Sequence, residues 1–196
     1  MTSAETSEAT GEGALKRQRL RAIITEKSLL KGGNFRLMSG NQSQYYFDMK
    51  PTIFDPEGAN LIADLILDAL RPLAVEAIGG PALGAIPIVA CVCQKSFPAR
   101  PLSGFFIRKE PKDHGTGRLV EGPPKPEDLA GRRAVLVEDV TTTGGSLIRA
   151  LKATREVGAL VDTVVTIVDR EQGAGDNLAR EGLTLISLLK ASEFSL

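Results

Sequence analysis

Residues 134–147 read AVLVEDVTTTGGSL: an apolar run, two adjacent acids, then a turn of small and hydroxylated residues. An uninterrupted run such as Ala134–Val137 is the pattern of a strand covered on both faces, as in parallel sheets. The turn that follows, Thr141–Ser146, lies between that strand and a helix start. Small residues there let successive backbone N–H groups curl around one anion, and the helix N-terminus adds partial positive charge. Glu138 and Asp139 are then the anomaly, because carboxylates beside an anion site repel its ligand. An ordinary strand–turn–helix with a Ser or Thr cap needs neither acid, and burying both costs desolvation. A sugar phosphate resolves the conflict. The turn holds the phosphate while the carboxylates accept hydrogen bonds from vicinal hydroxyls, each worth roughly 1.5–3 kcal/mol.

Outward from this stretch the pattern alternates. VEAIGG (75–80) and LSGFFIR (102–108) read as strands on either side of a mostly buried helix, LGAIPIVACVCQK (83–95). After the turn, SLIRALKATREVG (146–158) is an amphipathic helix closed by Gly158, and VDTVVTIVD (161–169) is the next strand. Alternating β and α units predict a doubly wound parallel sheet, in which ligands bind at the carboxyl ends of the strands. Glu138, Asp139 and the glycines fall at such an end. Further upstream, Asp55-Pro56-Glu57 is a helix start with N-cap, proline and early acid, and Leu61, Ile62, Leu65, Ile66, Ala69 and Leu70 follow at helical spacing before Pro72. Residues 31–50 alternate turn residues with short β-type runs, which predicts a hairpin-like lobe. A basic helix, LKRQRLRAIITEK (15–27), opens the fold with Leu20, Ile23 and Ile24 on its apolar face and is expected to pack on the sheet.

Composition narrows the classes. The 196 residues carry 42% apolar residues and zero formal net charge, which suits one globular domain and argues against a nucleic-acid or membrane-surface partner. No stretch approaches the ~18 consecutive apolar residues of a membrane span. Residues 1–13 lack the basic start and apolar core of a signal peptide and read as a disordered tail. Cys91 and Cys93, with a single distant histidine, do not make a zinc site. They are expected to be buried reduced thiols, consistent with a cytoplasmic location. No lysine follows Gly145, so the turn is not a Walker A loop, and the Rossmann glycine pattern is absent.

VLVEDVTTTGGS (135–146) closely resembles the 5-phosphoribosyl-1-pyrophosphate (PRPP) motif of type I phosphoribosyltransferases. The resemblance implies an α/β parallel-sheet phosphoribosyltransferase type I fold with a small N-terminal hood lobe. It also implies a division into a hood over about 14–54, a core over about 55–196 and a mobile lid over about 108–120. In that family the two acids contact the ribose hydroxyls and the turn holds the 5-phosphate. That makes Glu138, Asp139, Val140, Thr141, Thr142, Thr143, Gly144, Gly145 and Ser146 the expected PRPP-binding stretch.

A second constellation, RKEPKDHGTG (108–117), concentrates Arg108, Lys109, Lys112 and the single histidine, His114, between two glycines and a strand. Charge-rich stretches between strands are usually solvated loops. Three fixed cations and a titratable histidine also suit a pyrophosphate leaving group, whose growing charge must be neutralised. This stretch is similar to the flexible catalytic loop of orotate phosphoribosyltransferases, with the pattern R-K-x-x-K-x-H-G complete. The resemblance implies that Arg108, Lys109, Lys112 and His114 bind PRPP, and that Lys109, Lys112, His114 and Asp139 are the catalytic groups. It further implies a homodimer with shared sites and Mg2+ as cofactor, held mainly by PRPP and water. FRLMSGNQSQYYFDMKP (35–51) resembles the family segment that ends in an aromatic pair and helps form the orotate pocket. IVDREQGA (167–174) resembles its D-R-x-x-G strand end, making Arg170, with Thr142, the expected orotate contact.

Two positions depart from the family pattern. Met38 and Gly84 stand where many relatives carry lysine, so the turn around Gly79-Gly80 is expected to offer backbone donors to pyrophosphate, with Lys50 a candidate compensating cation. The expected activity is transfer of ribose 5-phosphate from PRPP to orotate, in pyrimidine nucleotide synthesis. Two alternatives stand beside it: a purine-base phosphoribosyltransferase, which would leave Arg170 without a carboxylate, and a PRPP-sensing regulator, which would use the basic helix to bind DNA.

Overall fold

The structure is a computed structural model describing residues 3–36, 42–111 and 119–196. The chain opens with helix α1 (Ser3–Lys27), followed by an antiparallel hairpin of β1 (Leu29–Arg36) and β2 (Gln42–Phe47). A short α2 (Lys50–Ile53) leads into α3 (Pro56–Leu70). Alternating elements follow: β3 (Ala77–Pro81), α4 (Ala85–Ser96), β4 (Ser103–Ile107), β5 (Val120–Glu121), β6 (Arg133–Thr141), α5 (Gly145–Glu156), β7 (Leu160–Asp169), α6 (Ala174–Arg180) and β8 (Thr184–Lys190). The main sheet has the order β5-β4-β3-β6-β7-β8, parallel throughout except for β5 at its edge.

The buried run in β6 has the cause its sequence implies. Val135 and Val137 pack with α1, α3 and α4 on one face, while Ala134 and Leu136 pack with α5 and α6 on the other. Both faces of the strand are covered, so every residue from Ala134 to Val137 is apolar. Asp55 caps α3 by accepting a 2.9 Å hydrogen bond from the Gly58 amide, as its sequence position predicts. Cys91 and Cys93 on α4 are free thiols, half-buried rather than fully buried.

Helix α1 differs from its sequence reading in two respects. The helix runs back to Ser3, over residues read as a disordered tail. Extending a helix already anchored by Leu20, Ile23 and Ile24 costs far less than nucleating one. It also packs chiefly across α3 rather than on the sheet. Its cations meet acids of the same chain: Arg19 bonds Glu57 through both Nε (2.6 Å) and Nη2 (2.5 Å), Arg17 lies 3.3 Å from Glu193, and Lys27 pairs with Asp55. The charge of this helix therefore serves largely to clamp it onto α3 and the C-terminus. No helix among the described residues is long and apolar enough to cross a membrane.

Sheet order locates the site. From β3 the chain moves outward to β4, then returns to the other side of β3 to lay down β6, β7 and β8. Strand order thus reverses between β3 and β6, and the loops leaving their carboxyl ends diverge to opposite faces, which opens a crevice. Those loops begin at Pro81 and Thr141.

Candidate active site

A cleft of about 480 Å3 occupies this switch point. Its floor is the end of β6, with Glu138, Asp139 and Val140; Ser146 and Arg149 of α5 form one wall, and the turn Ala82–Gly84 another. Arg108 and Lys109, just past β4, line it from the sheet edge, while Tyr46, Phe47 and Arg170 close the far end. Arg108 also donates to Glu121 at 3.3 Å. Lys112 and His114, expected to complete the cation set, lie outside the described residues, as does Met38.

The two acids differ in their surroundings. Glu138 is 9% exposed and accepts a short hydrogen bond from the Ser146 hydroxyl. Burial, with the Asp139 charge adding to it, pushes its carboxyl up to about 7 against the donors Ser146 and Thr141 and the charge of Arg149. Asp139 is also raised, by burial, against a 2.9 Å hydrogen bond from the Val140 amide and the charge of Lys50. Lys50 is paired with Asp48, so its cation is shared.

The turn after β6 is shaped by its glycines. Gly144 holds φ at 80°, a conformation that side chains other than glycine rarely adopt, and α5 starts directly after it. Asn177 of α6 donates to the Thr143 carbonyl at 2.9 Å and steadies the turn from behind. Ser146 reaches the cleft, whereas Thr141 does not. Its hydroxyl points into the sheet, donating to Thr166 at 2.9 Å, and its side chain is 1% exposed. Arg149 is a cleft residue that motif reading missed. It lies four residues past Gly145, one helical turn on, so its guanidinium returns to the same face, with Nη1 3.7 Å from where a Gly145 Cβ would sit.

The opposite turn also differs from expectation. Gly79 and Gly80 are not in it; they are buried in β3, where a Cβ on Gly79 would come within 2.3 Å of the Phe105 ring and one on Gly80 within 2.1 Å of the Val137 carbonyl. The cleft-lining turn is Ala82–Gly84. A Cβ at Gly84 would stand 2.9 Å from the Asp139 carboxylate, which explains why no lysine fits there without moving that acid. Gly84 has helical angles (φ −57°, ψ −39°), so alanine brings no backbone strain and its cost lies in displacing the Asp139 carboxylate. Gly84→Ala is therefore expected to lower Tm only slightly while weakening PRPP binding about tenfold, or ~1.4 kcal/mol. Titration calorimetry checks this, and the effect should shrink in an Asp139→Ala background. Equal losses in both backgrounds would place the cause elsewhere.

At the far end, register brings Arg170 to the site. Thr141 pairs with Asp169 across β6 and β7, and the Arg170 amide donates to the Thr141 carbonyl at 2.9 Å. Arg170 is 3% exposed, meets no acid among the described residues, and has a buried Nε without a hydrogen-bond partner. Burial lowers its pKa, because the guanidinium has lost water without gaining a counter-charge. Burying a cation without a partner is costly, and an anionic group entering the cleft would offset that cost.

Residues 56–190 match the phosphoribosyl transferase domain. Orotate phosphoribosyltransferase of Rhodopseudomonas palustris (strain BisB5) is 50% identical over 179 residues, 91% of this chain and 95% of that protein. The crystal structure of Mycobacterium tuberculosis H37Rv orotate phosphoribosyltransferase in complex with Fe(III) dicitrate superposes with a TM-score of 0.79 at 32% identity, covering 92% of this chain and 99% of that one. The structure of the same enzyme in complex with PRPP gives a TM-score of 0.75 at 30% identity, with the same coverage. The chain belongs to the phosphoribosyltransferase family, and within it to the orotate phosphoribosyltransferases.

Proposed function

We propose that the protein transfers ribose 5-phosphate from PRPP to orotate, releasing pyrophosphate and forming orotidine 5'-monophosphate for pyrimidine nucleotide synthesis. The observation that carries this reading is one cleft with two unlike ends: a buried arginine lacking a counter-charge, and paired carboxylates beside a small-residue turn. A purine offers no carboxylate to Arg170, so the base that suits this end is an anionic pyrimidine.

In the proposed reaction the orotate ring nitrogen attacks the anomeric carbon while the carbon–oxygen bond to pyrophosphate breaks. That bond's electron pair leaves with pyrophosphate, and the ring nitrogen gives up its proton. The protein's contribution is placement and charge. The turn from Thr141 to Ser146 holds the 5-phosphate, Glu138 and Asp139 orient the ribose hydroxyls, and Arg170 orients the base. Arg108 and Lys109 stabilise the leaving group, with Lys112 and His114 joining them from the lid segment over about 108–120.

Glu138 and Asp139 supply hard oxygen donors, and Mg2+ is commonly held by one or two carboxylates together with substrate phosphates and water. The donor set fits a Mg2+ ion held mainly by PRPP and water and steadied by these two acids. Bound there, it would neutralise charge on the pyrophosphate. The active form is a cytoplasmic homodimer with shared sites. The resemblance of the 108–117 stretch to the family's catalytic loop supports both the dimer and the shared sites.

The reaction is tested by following orotate absorbance with purified protein. Loss that requires protein, PRPP and Mg2+ together is the expected result; consumption of adenine or hypoxanthine instead would overturn the base assignment. Lys112→Ala is expected to lower kcat by ~10²–10³-fold while PRPP affinity changes less. Near-normal turnover in that variant would remove the lid from the mechanism.

A further inference from the structure

The aromatic pair of β2 is divided between two tasks. Tyr46 lines the cleft, whereas Tyr45 lies behind Arg170, with its ring centroid 4.2 Å from the guanidinium carbon. Arg170 itself lines the cleft, so the ring backs a cation that a ligand in the cleft can reach. Tyr45 is itself braced: it meets Phe47 edge-on at 5.8 Å, and Phe47 meets Phe194 edge-on at 5.0 Å. Phe47 and Phe194 belong to the main core, so the support for Arg170 runs from the hairpin into the body of the protein.

Ser43 sets the remaining degree of freedom. Its Oγ accepts from Arg170 Nη2 at 2.9 Å while donating to the Tyr45 carbonyl at 2.8 Å. A ring held against the guanidinium and a bond at Nη2 together restrict its orientation. What remains unsatisfied is Nε, buried and without an acceptor. Buried donors in native proteins are nearly always paired, so this orphan is the donor left over for a ligand acceptor.

We propose that Tyr45 and Ser43 are positioning residues that hold the Arg170 guanidinium in the plane and rotation required to grip the carboxylate of the pyrimidine base. The inference rests on orotate being the acceptor substrate. It assigns to the hairpin the selection of a carboxylated base, exercised through Arg170 without direct contact from Tyr45.

The test is steady-state kinetics on the full chain, varying orotate and PRPP separately, for the wild type and for Tyr45→Leu, Tyr45→Phe and Ser43→Ala. Tyr45→Leu is expected to raise the orotate KM about tenfold with the PRPP KM unchanged, and Tyr45→Phe to restore it because the ring is kept. Ser43→Ala, which removes little volume, is expected to raise the orotate KM about threefold to tenfold. It keeps the question open to measurement even where loss of the Tyr45 ring damages folding. If the wild type consumes orotate and Tyr45→Leu and Ser43→Ala keep its orotate KM, the positioning role is overturned while the reaction stands. Equal rises in both KM values would likewise overturn it, since they mark general damage to the site. A wild type that does not consume orotate overturns both.

Discussion

Arg170→Met is expected to lower kcat/KM for orotate by about 10²–10³-fold while leaving PRPP binding near its wild-type value. The magnitude follows from geometry: truncating one partner of a buried, hydrogen-bonded charge pair typically costs about 2–5 kcal/mol. Stability should move the other way. Arg170 is 3% exposed, meets no acid among the described residues and carries an unpartnered Nε, so in the free protein its burial is a net cost. Methionine has similar reach, keeps contact with the Tyr45 ring and buries no charge. The free variant should therefore melt at or above the wild-type Tm, losing only the bond from Nη2 to Ser43. A variant that melts well below the wild type would mean that Arg170 is a structural residue, and its kinetic loss could no longer be assigned to the base. Differential scanning calorimetry and kinetics on one preparation settle both points.

Glu138→Gln is the second large effect, and its sign depends on pH. The folded protein holds the Glu138 carboxyl up to about 7, against an ordinary value of 4.5. Between those two pH values the folded state therefore binds a proton that the unfolded chain releases. This contribution to stability is fully present below pH 4.5 and is lost as the pH rises through 7. The loss amounts to roughly 3 kcal/mol. Glutamine has no charge to desolvate, and its carbonyl still accepts from Ser146. At pH 8 Glu138→Gln should therefore raise Tm on the order of 5–10 °C for a chain of this size. Near pH 4.5 the two proteins should melt together. Turnover should fall ~10²-fold, because a neutral amide is a weaker acceptor for the ribose hydroxyls than a carboxylate. Melting curves across that pH range decide the matter. A Tm difference independent of pH would show that the gain comes from packing rather than from the carboxyl charge.

Stability and function are opposed at both positions. Arg170 and Glu138 are charged groups taken out of water without full compensation, and each opens on the same cleft. Such groups persist where a ligand completes them.

The core of this fold was legible because its signals are local. The apolar run of β6, the N-cap at Asp55 and the glycine turn before α5 each depend on neighbours within a few residues. Alternation of strand and helix then led to a parallel sheet and to ligand binding at its carboxyl ends. Elements without a local signal escaped: β5 pairs over two residues of a polar stretch, and α6 spans only seven, too few to display a period. Helix α1 begins well before the apolar positions that announce it, because helix propagates cheaply from an anchored segment.

What the sequence by itself determined is the chemistry of the site: which acids follow the strand, which turn can cradle a phosphate, and which arginine ends β7. Only the tertiary structure decided how those groups are used. Ser43 meets Arg170 across 127 residues of chain, and the register of β6 against β7 sets Arg170 beside Thr141. The same packing turns the Thr141 hydroxyl into the sheet, places the Gly84 backbone against Asp139 and withdraws Glu138 from water. Direction, burial and charge state are properties of contacts between distant segments, and these come into being only when the sheet closes and the hairpin docks on it.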